Sequence, residues 1–241
     1  MKIVDAVWEK RNLGVDCNEC RVDYSDSLQD IKTAIEQIKN TEYAVARIPS
    51  NRIDAVQAFQ SEGFQFIEAA ITLENDLKKI VVPKRLQLLA KSISWEIINE
   101  ADLDNLYSEI RGNIFKTDRI ILDPYFTKEQ AANRYVNWTK DLVSQGNVPY
   151  KIMYNNDVVG FVLNKEIKQG VYDGLLAGTY AAFEGTGMGV CIQYAGIKSA
   201  MEKDATKYIG HVSANNPAVL KSLEAIGFEI KLIEYIFIKH N

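Results

Sequence analysis

The chain reads as an α/β protein, and three observations lead there. From Val171 to Phe228 the segments run strand, glycine-rich turn, helix, strand, helix, strand. A corner made of a helix, Gly-Phe and a strand occurs twice, at Gly63-Phe64 and at Gly227-Phe228. The 241 residues, 47% hydrophobic and 25% charged, suffice for a substantial core in one large domain or two modest ones.

Taken in order, Ile31, Ala34, Ile35 and Ile38 share one face of a helix over 31–40, and a strand follows from Tyr43 to Ile48. Ser50-Asn51 through Gly63-Phe64 then mirrors Ala214-Asn215 through Gly227-Phe228. Counted back from each glycine, Ala55 falls on Val219, Val56 on Leu220 and Phe59 on Leu223. We read residues 1–82 as a degenerate half-copy of the unit in 83–241, extending or flanking its sheet. Residues 75–85 form a connector in which Lys78, Lys79, Lys84 and Arg85 flank Val81-Val82-Pro83. Residues 86–95 are expected to be the first strand of the second unit, with a helix from Glu100 through Ile110. Residues 115–126 have little periodicity and read as a loop, the kind of segment that lines substrate sites. A helix is expected from Gln130 to Val143, and a hairpin from Lys151 to Asn164 with its turn at Asn155-Asn156-Asp157. The apolar run Gly174 to Thr179 leads to Glu184-Gly185-Thr186-Gly187-Met188-Gly189 and a helix over 190–202. Tyr208 to Val212 is a strand, Pro217 opens a helix that Gly227 ends, and the last strand covers 228–238.

The glycine turn has a direct physical meaning. Gly185, Gly187 and Gly189 remove side chains where a strand becomes a helix, and the first N–H groups of that helix face outward toward any anion. The turn suits a phosphate or pyrophosphate, and it equally suits close packing. It is neither a P-loop, lacking Gly-Lys-Ser/Thr, nor a dinucleotide fingerprint.

Composition excludes other classes. A net charge of −4 argues against a nucleic-acid binder. No apolar run approaches a bilayer span and the first residues lack a signal-peptide core, so a cytoplasmic location is expected. Cys17-x-x-Cys20 lacks the further ligands of a zinc site, and with Cys191 it reads as structural; no metal is expected.

The glycine turn, together with Asn216, Val219, Leu220, Leu223, Gly227 and Phe228, resembles the GNAT superfamily of acyl-CoA-dependent N-acyltransferases. The resemblance implies a mixed central sheet flanked by helices and acetyl-CoA as cofactor. It implies the CoA pyrophosphate on Gly185, Thr186, Gly187, Met188, Gly189 and Val190, and the pantetheine arm along Leu176, Ala177, Gly178 and Thr179. Asn216 would touch the cofactor. The order of segments is similar to that of the dTDP-fucosamine acetyltransferases, through Trp8-Glu9, Gly14-Val15, Ser50-Asn51, Gly63-Phe64 to Glu68, Tyr125 and Gly174 to Gly178. It implies a small-molecule amine acceptor, such as a dTDP-linked amino sugar, and is compatible with a homodimer; Arg119 and Tyr125 are the candidate acceptor contacts. Other small amines, or acyl-CoA binding without turnover, stay open.

Two positions depart from the family pattern. Glu184 stands where Gln or Arg is usual, and a carboxylate there repels a pyrophosphate unless it turns away. Leu223 stands seven residues after Asn216, where the family places its general-acid tyrosine. For the base, Glu68 precedes the apolar run Ala69-Ala70-Ile71, a setting that raises a carboxyl pKa and also fits a solvent-facing strand residue. For the acid, Tyr180, Tyr194 and Tyr235 are the nearby phenols, with Tyr235 on the final strand the candidate. His211 can relay a proton or serve as a satisfied core histidine.

Overall fold

The computed structural model describes residues 1–241 except Asn113; the side chains of Lys79 and Arg85, two of the four cations placed in the connector, also lie outside the described residues. The elements in order are β1 (Lys2–Asp5), α1 (Val7–Leu13), β2 (Cys17–Arg21), α2 (Leu28–Ile38), β3 (Tyr43–Pro49), α3 (Ile53–Ser61) and β4 (Gln65–Asp76). Then come α4 (Lys84–Leu89), β5 (Ile93–Ile97), α5 (Glu100–Arg111), α6 (Arg119–Leu122), α7 (Lys128–Ser144), β6 (Pro149–Tyr154) and β7 (Asp157–Lys168). The chain closes with β8 (Val171–Thr179), α8 (Gly189–Met201), β9 (Lys207–Ser213), α9 (Pro217–Ile226) and β10 (Glu229–His240).

Local chemistry explains these boundaries. Ser27 caps α2, whose stripe Ile31, Ala34, Ile35 and Ile38 is buried. Thr127 and Gln130 close a capping box on α7. Asn155 and Asn156, at φ 49° and 72°, make the β6–β7 hairpin turn. Gly227, at φ 96°, ends α9 in the left-handed conformation that glycine adopts without cost. The expected strand over 86–95 is corrected. Pro83 precedes helix α4, a 3-10 turn covers Ala90–Ser92, and β5 begins only at Ile93. Leu86 is buried against the core while Leu88 is exposed, a helical pattern that a short apolar run does not distinguish from a strand.

All ten strands form one mixed sheet in the order β1-β2-β3-β10-β4-β9-β8-β7-β6-β5. The pairs β2–β3 and β8–β9 are parallel and the others antiparallel. The order contains an exchange. β4, the last strand of the first unit, lies between β9 and β10 of the second, and β10 lies between β3 and β4 of the first.

Gly63 and Gly227 are 164 positions apart, and the same offset maps the pairings of one unit onto the other. Ile71 pairs with Val212 as Tyr235 pairs with Ile48; Thr72 pairs with His211 as Ile236 pairs with Arg47. Ala214 N–H donates to Ala69 O as Ser50 N–H donates to Ile233 O, and Leu77 N–H donates to Thr206 O as Asn241 N–H donates to Glu42 O. The two sets of pairings are thus related by a pseudo-twofold across the β4–β10 pair.

Helices cover both faces. One face of the second unit packs Ile192, Ala195 and Ile197 of α8 and Leu223 and Ile226 of α9 onto the sheet; Leu106, Ile110, Tyr135 and Leu142 of α5 and α7 cover the other. In the first unit α2 and α3 pack on one face with Phe59 and Phe64, while Ala6 and Leu13 around α1 and Ile120 of α6 pack on the opposite face. Cys17 and Cys20 point to opposite faces of β2, and burial pushes each thiol up to about 12. No helix among the described residues is long and apolar enough to cross a membrane.

Candidate functional site

The site starts where two parallel strands part. β8 and β9 pair from Val171 and Lys207 as far as Gly174 and Gly210, and among the described residues no rung follows. Leu176–Thr179 keep only their β7 partners, and the register shift opposite Leu163 and Asn164 leaves Leu175 as an extra, bulged residue. The result is a wedge with an unpaired edge of β8 on one side and His211–Ser213 on the other. Gly174 permits the close approach at its apex, because an added Cβ would sit 2.6 Å from the Tyr208 hydroxyl.

At the far end of β8 lies the glycine turn. Gly185 and Gly187 have φ of 76° and 83°, the left-handed region. α8 begins at Gly189 without a side-chain cap. A Cβ built at Gly185 or Gly189 meets no protein atom within 4 Å, so the space above the turn is open. The first N–H groups of a long helix, uncapped and facing open space, fit the phosphate-bearing cofactor implied by the sequence. Glu184 turns aside: Lys116 Nζ donates to both its carboxylate oxygens at 2.7 and 2.9 Å, which removes the repulsion expected there.

The wedge opens onto a cavity of about 410 Å³ lined by both units. Glu68 of β4 lies in its wall, buried, with Oε1 accepting from Arg119 N–H at 2.9 Å. Burial raises the Glu68 carboxyl above its ordinary range, and nearby Asp118 adds to the rise against Ser213 and Arg119, which oppose it. Asp118 caps α6 and accepts a hydrogen bond from the Tyr135 hydroxyl; burial, then Asp118, push that phenol far above its ordinary value.

Beneath this wall runs a buried ion network. Glu9 of α1, fully buried, accepts from Arg134 Nε at 2.9 Å and Nη2 at 2.7 Å, and from Arg119 Nη2 at 3.3 Å. Arg119 also lies 3.5 Å from Glu19, and Arg47 lies between Glu19 and Glu234. Burial opposes the charge of Arg119, yet Glu19, Tyr43 and Glu9 keep it protonated above its ordinary range. The network fixes the backbone at Arg119, whose N–H orients Glu68.

The structure brings most of the expected residues together. Glu68, Arg119, Leu176, Ala177, Asn216 and Leu223 line the cavity, and Gly178 and Thr179 continue the open β8 edge. Asn216 caps α9 through its side-chain oxygen, accepting from Val219 N–H at 3.2 Å. Leu223 packs over Gly210, with Cδ1 3.2 Å from where a Cβ would stand. Two assignments are corrected. Tyr235 packs with Phe59 and Phe64 on the opposite sheet face, its ring 5.8 Å from that of Phe66, because strand alternation turns it away from Glu68. Tyr125 is exposed and stacks on His240 at 4.1 Å, outside the cavity. Tyr180 is buried in the core beneath α5 and α7.

The segment 115–126, read as substrate-lining, supplies Asp118 to the wall, while Arg134, Tyr135 and Trp138 on α7 were not singled out as lining residues. Their one available signal was the density of charged and aromatic side chains in 115–138, on segments read as a loop and an amphipathic helix. Trp8 joins them from α1. The half-copy has a counterpart to the glycine turn between β2 and α2, and it is closed. Arg52, at the position of Asn216, donates to the carbonyls of Asp23, Tyr24 and Asp26 at 2.9–3.1 Å.

No protein-family model matches the chain, and no curated protein matches its sequence. Solved structures do. A GCN5-related N-acetyltransferase from Sphaerobacter thermophilus aligns with a TM-score of 0.61 at 12% identity, over 82% of this chain and 59% of its own length. The chain therefore spans little more than half of that protein. A GCN5-related N-acetyltransferase from Kribbella flavida aligns with a TM-score of 0.59 at 13% identity, over 92% of this chain and 80% of that one. A tandem GNAT protein from the clavulanic acid biosynthesis pathway aligns with a TM-score of 0.52 at 11% identity, over 88% and 68% of the two chains. These likenesses show the GNAT fold.

Proposed function

We propose that the chain is an acyl-CoA-dependent N-acyltransferase that moves an acetyl group from acetyl-CoA to a primary amine by direct attack in a ternary complex. The observation that carries this reading is the wedge past Gly174 and Gly210, which joins the open glycine turn to the cavity holding Glu68. The backbone N–H groups of residues 185–190 would hold the phosphates, the unpaired edge at 176–179 the amides of the pantetheine arm. The Asn216 amide nitrogen, left over from the cap, would donate to the same cofactor. Bound there, acetyl-CoA supplies an activated acyl group.

The protein's own residues then handle the amine. Glu68, held by Arg119 N–H and raised by burial, takes a proton from the acceptor nitrogen directly or through water. Arg119 and Arg134 are already neutralised by Glu9 and Glu19, so the net demand of the cavity comes from Glu68 and Asp118 and favours a cationic amine. The segment-order resemblance and the polar, tryptophan-bearing wall favour a nucleotide-linked amino sugar as acceptor. The division at 82/83 is, on this reading, the boundary between two copies of one ancestral unit. Calorimetry with CoA, followed by a thiol-release screen of acetyl-CoA against amino sugars, nucleotide amino sugars, polyamines, amino acids and aminoglycosides, tests the proposal. One CoA per chain and release with an amine of the panel support it; no CoA binding contradicts it.

A further inference from the structure

Resting on that reading, we propose that His211 is the proton donor to the departing sulfur, in place of the phenol that Leu223 lacks. His211 is the first residue of β9 beyond the last β8–β9 rung, so it stands at the apex of the wedge. Leu223 packs over the preceding Gly210 from the α9 side of the sheet, and the His211 side chain, next along β9, points to the other side, where Thr72 of β4 faces it. Its ring is oriented from two strands. Nε2 lies 3.3 Å from Asp173 Oδ1 on β8, and Nδ1 lies 3.2 Å from Thr72 Oγ1 on β4. Asp173 Oδ1 is buried and without a hydrogen-bond partner among the described residues, and the His211 ring faces it with Nε2 at 3.3 Å. The imidazole itself is half open to the cavity, with a side-chain exposure of 53%, unlike a histidine satisfied in a core. The other phenols nearby are committed: Tyr208 bonds Asn164 at 2.5 Å and Tyr135 bonds Asp118.

The step balances. The acceptor enters as an ammonium and leaves as an amide, so its nitrogen sheds two protons while the sulfur gains one. The C–N bond forms on the acyl carbon, the C–S bond breaks, and its electron pair goes to sulfur. Protonated His211 gives that sulfur a proton through Nδ1, directly or by way of the Thr72 hydroxyl, and is reprotonated from solvent. Glu68 passes the protons of the nitrogen to solvent, and one proton is released per turnover.

The chain has two histidines, which makes the test clean. His240 lies between the rings of Tyr43 and Tyr125, with Nε2 2.8 Å from Asp123, and serves as internal control. Carbethoxylation by diethyl pyrocarbonate, read by peptide mass spectrometry, should be slowed several-fold at His211 by saturating CoA and unchanged at His240. With the fastest amine of the panel, His211→Ala should lower kcat by about 10²-fold at an unchanged KM for acetyl-CoA. Added imidazole should restore much of the loss, which it would not do for a merely structural residue. CoA that binds by calorimetry without protecting His211, or a His211→Ala enzyme of full activity, overturns the assignment and leaves the proposed function standing. Absence of CoA binding in the wild-type protein overturns both.

Discussion

Ala70 of β4 and Glu234 of β10 face each other across the antiparallel pair, and the 164-residue offset carries each onto the other. They mark the axis of the internal pseudo-twofold. Because each unit's last strand is lodged between two strands of the other, neither unit buries its sheet alone. Residues 1–82 and 83–241 expressed separately should each be insoluble or unfolded and should recover native circular dichroism only when co-expressed. A folded, monomeric 83–241 fragment would show that the exchange is dispensable.

Replacing Glu68 by Gln should leave CoA affinity unchanged and lower turnover by about 10²-fold, with the loss shrinking at high pH where the amine needs no base. The same variant makes a stability prediction. A carboxyl raised by burial binds its proton more tightly folded than unfolded, so its ionisation costs stability as pH rises from 4.5 through the raised folded value. Glu68→Gln should therefore melt higher than wild type at neutral pH and lose that advantage below about pH 4. A variant that melts lower at pH 7 would mean that the Arg119 and Ser213 contacts outweigh the burial.

The glycine turn offers a cleaner test at Gly189 than at Gly187, whose φ of 83° makes any side chain strained. Gly189 opens α8, and a Cβ there meets no protein atom within 4 Å. Gly189→Val should keep the melting temperature and weaken CoA binding by roughly ten-fold or more, a loss of about 1.4 kcal/mol. Calorimetry showing wild-type affinity would remove the turn from the binding site.

Glu9 is buried against two arginines, so truncating it takes the carboxylate from buried Arg134 and leaves Arg119 with Glu19 alone. Glu9→Ala should cost about 3–5 kcal/mol in urea unfolding. A loss below about 1 kcal/mol would place the network among weak surface pairs.

Much of this was legible in the sequence for physical reasons. Long periodic helices such as 31–40 and 130–143, and corners closed by Gly63 and Gly227, carry their own local signals. The shared corner at Gly63 and Gly227 was readable too, since it lies in residue order. The exchange was not, because a strand's pattern records which face is buried and not which strand lies beside it. For the same reason Tyr235 was placed near the thiol end although its strand parity turns it to the other face. The ion network escaped notice because Glu9, Glu19, Arg47, Arg119 and Arg134 lie on five separate elements. Glu184, read as a liability, is neutralised by Lys116 from a loop with no periodicity.

Acyl transfer at the wedge would show as thiol release from acetyl-CoA in the presence of a nucleotide-linked 4-amino-4,6-dideoxy sugar and the wider amine panel, with the product identified by mass spectrometry. Thiol and N-acetylated amine should form in equal amounts with at least one amine, and at limiting acetyl-CoA both should fall roughly ten-fold or more in Gly189→Val. Tight CoA binding with no thiol released above buffer across the whole panel would contradict it and leave an acyl-CoA-binding protein.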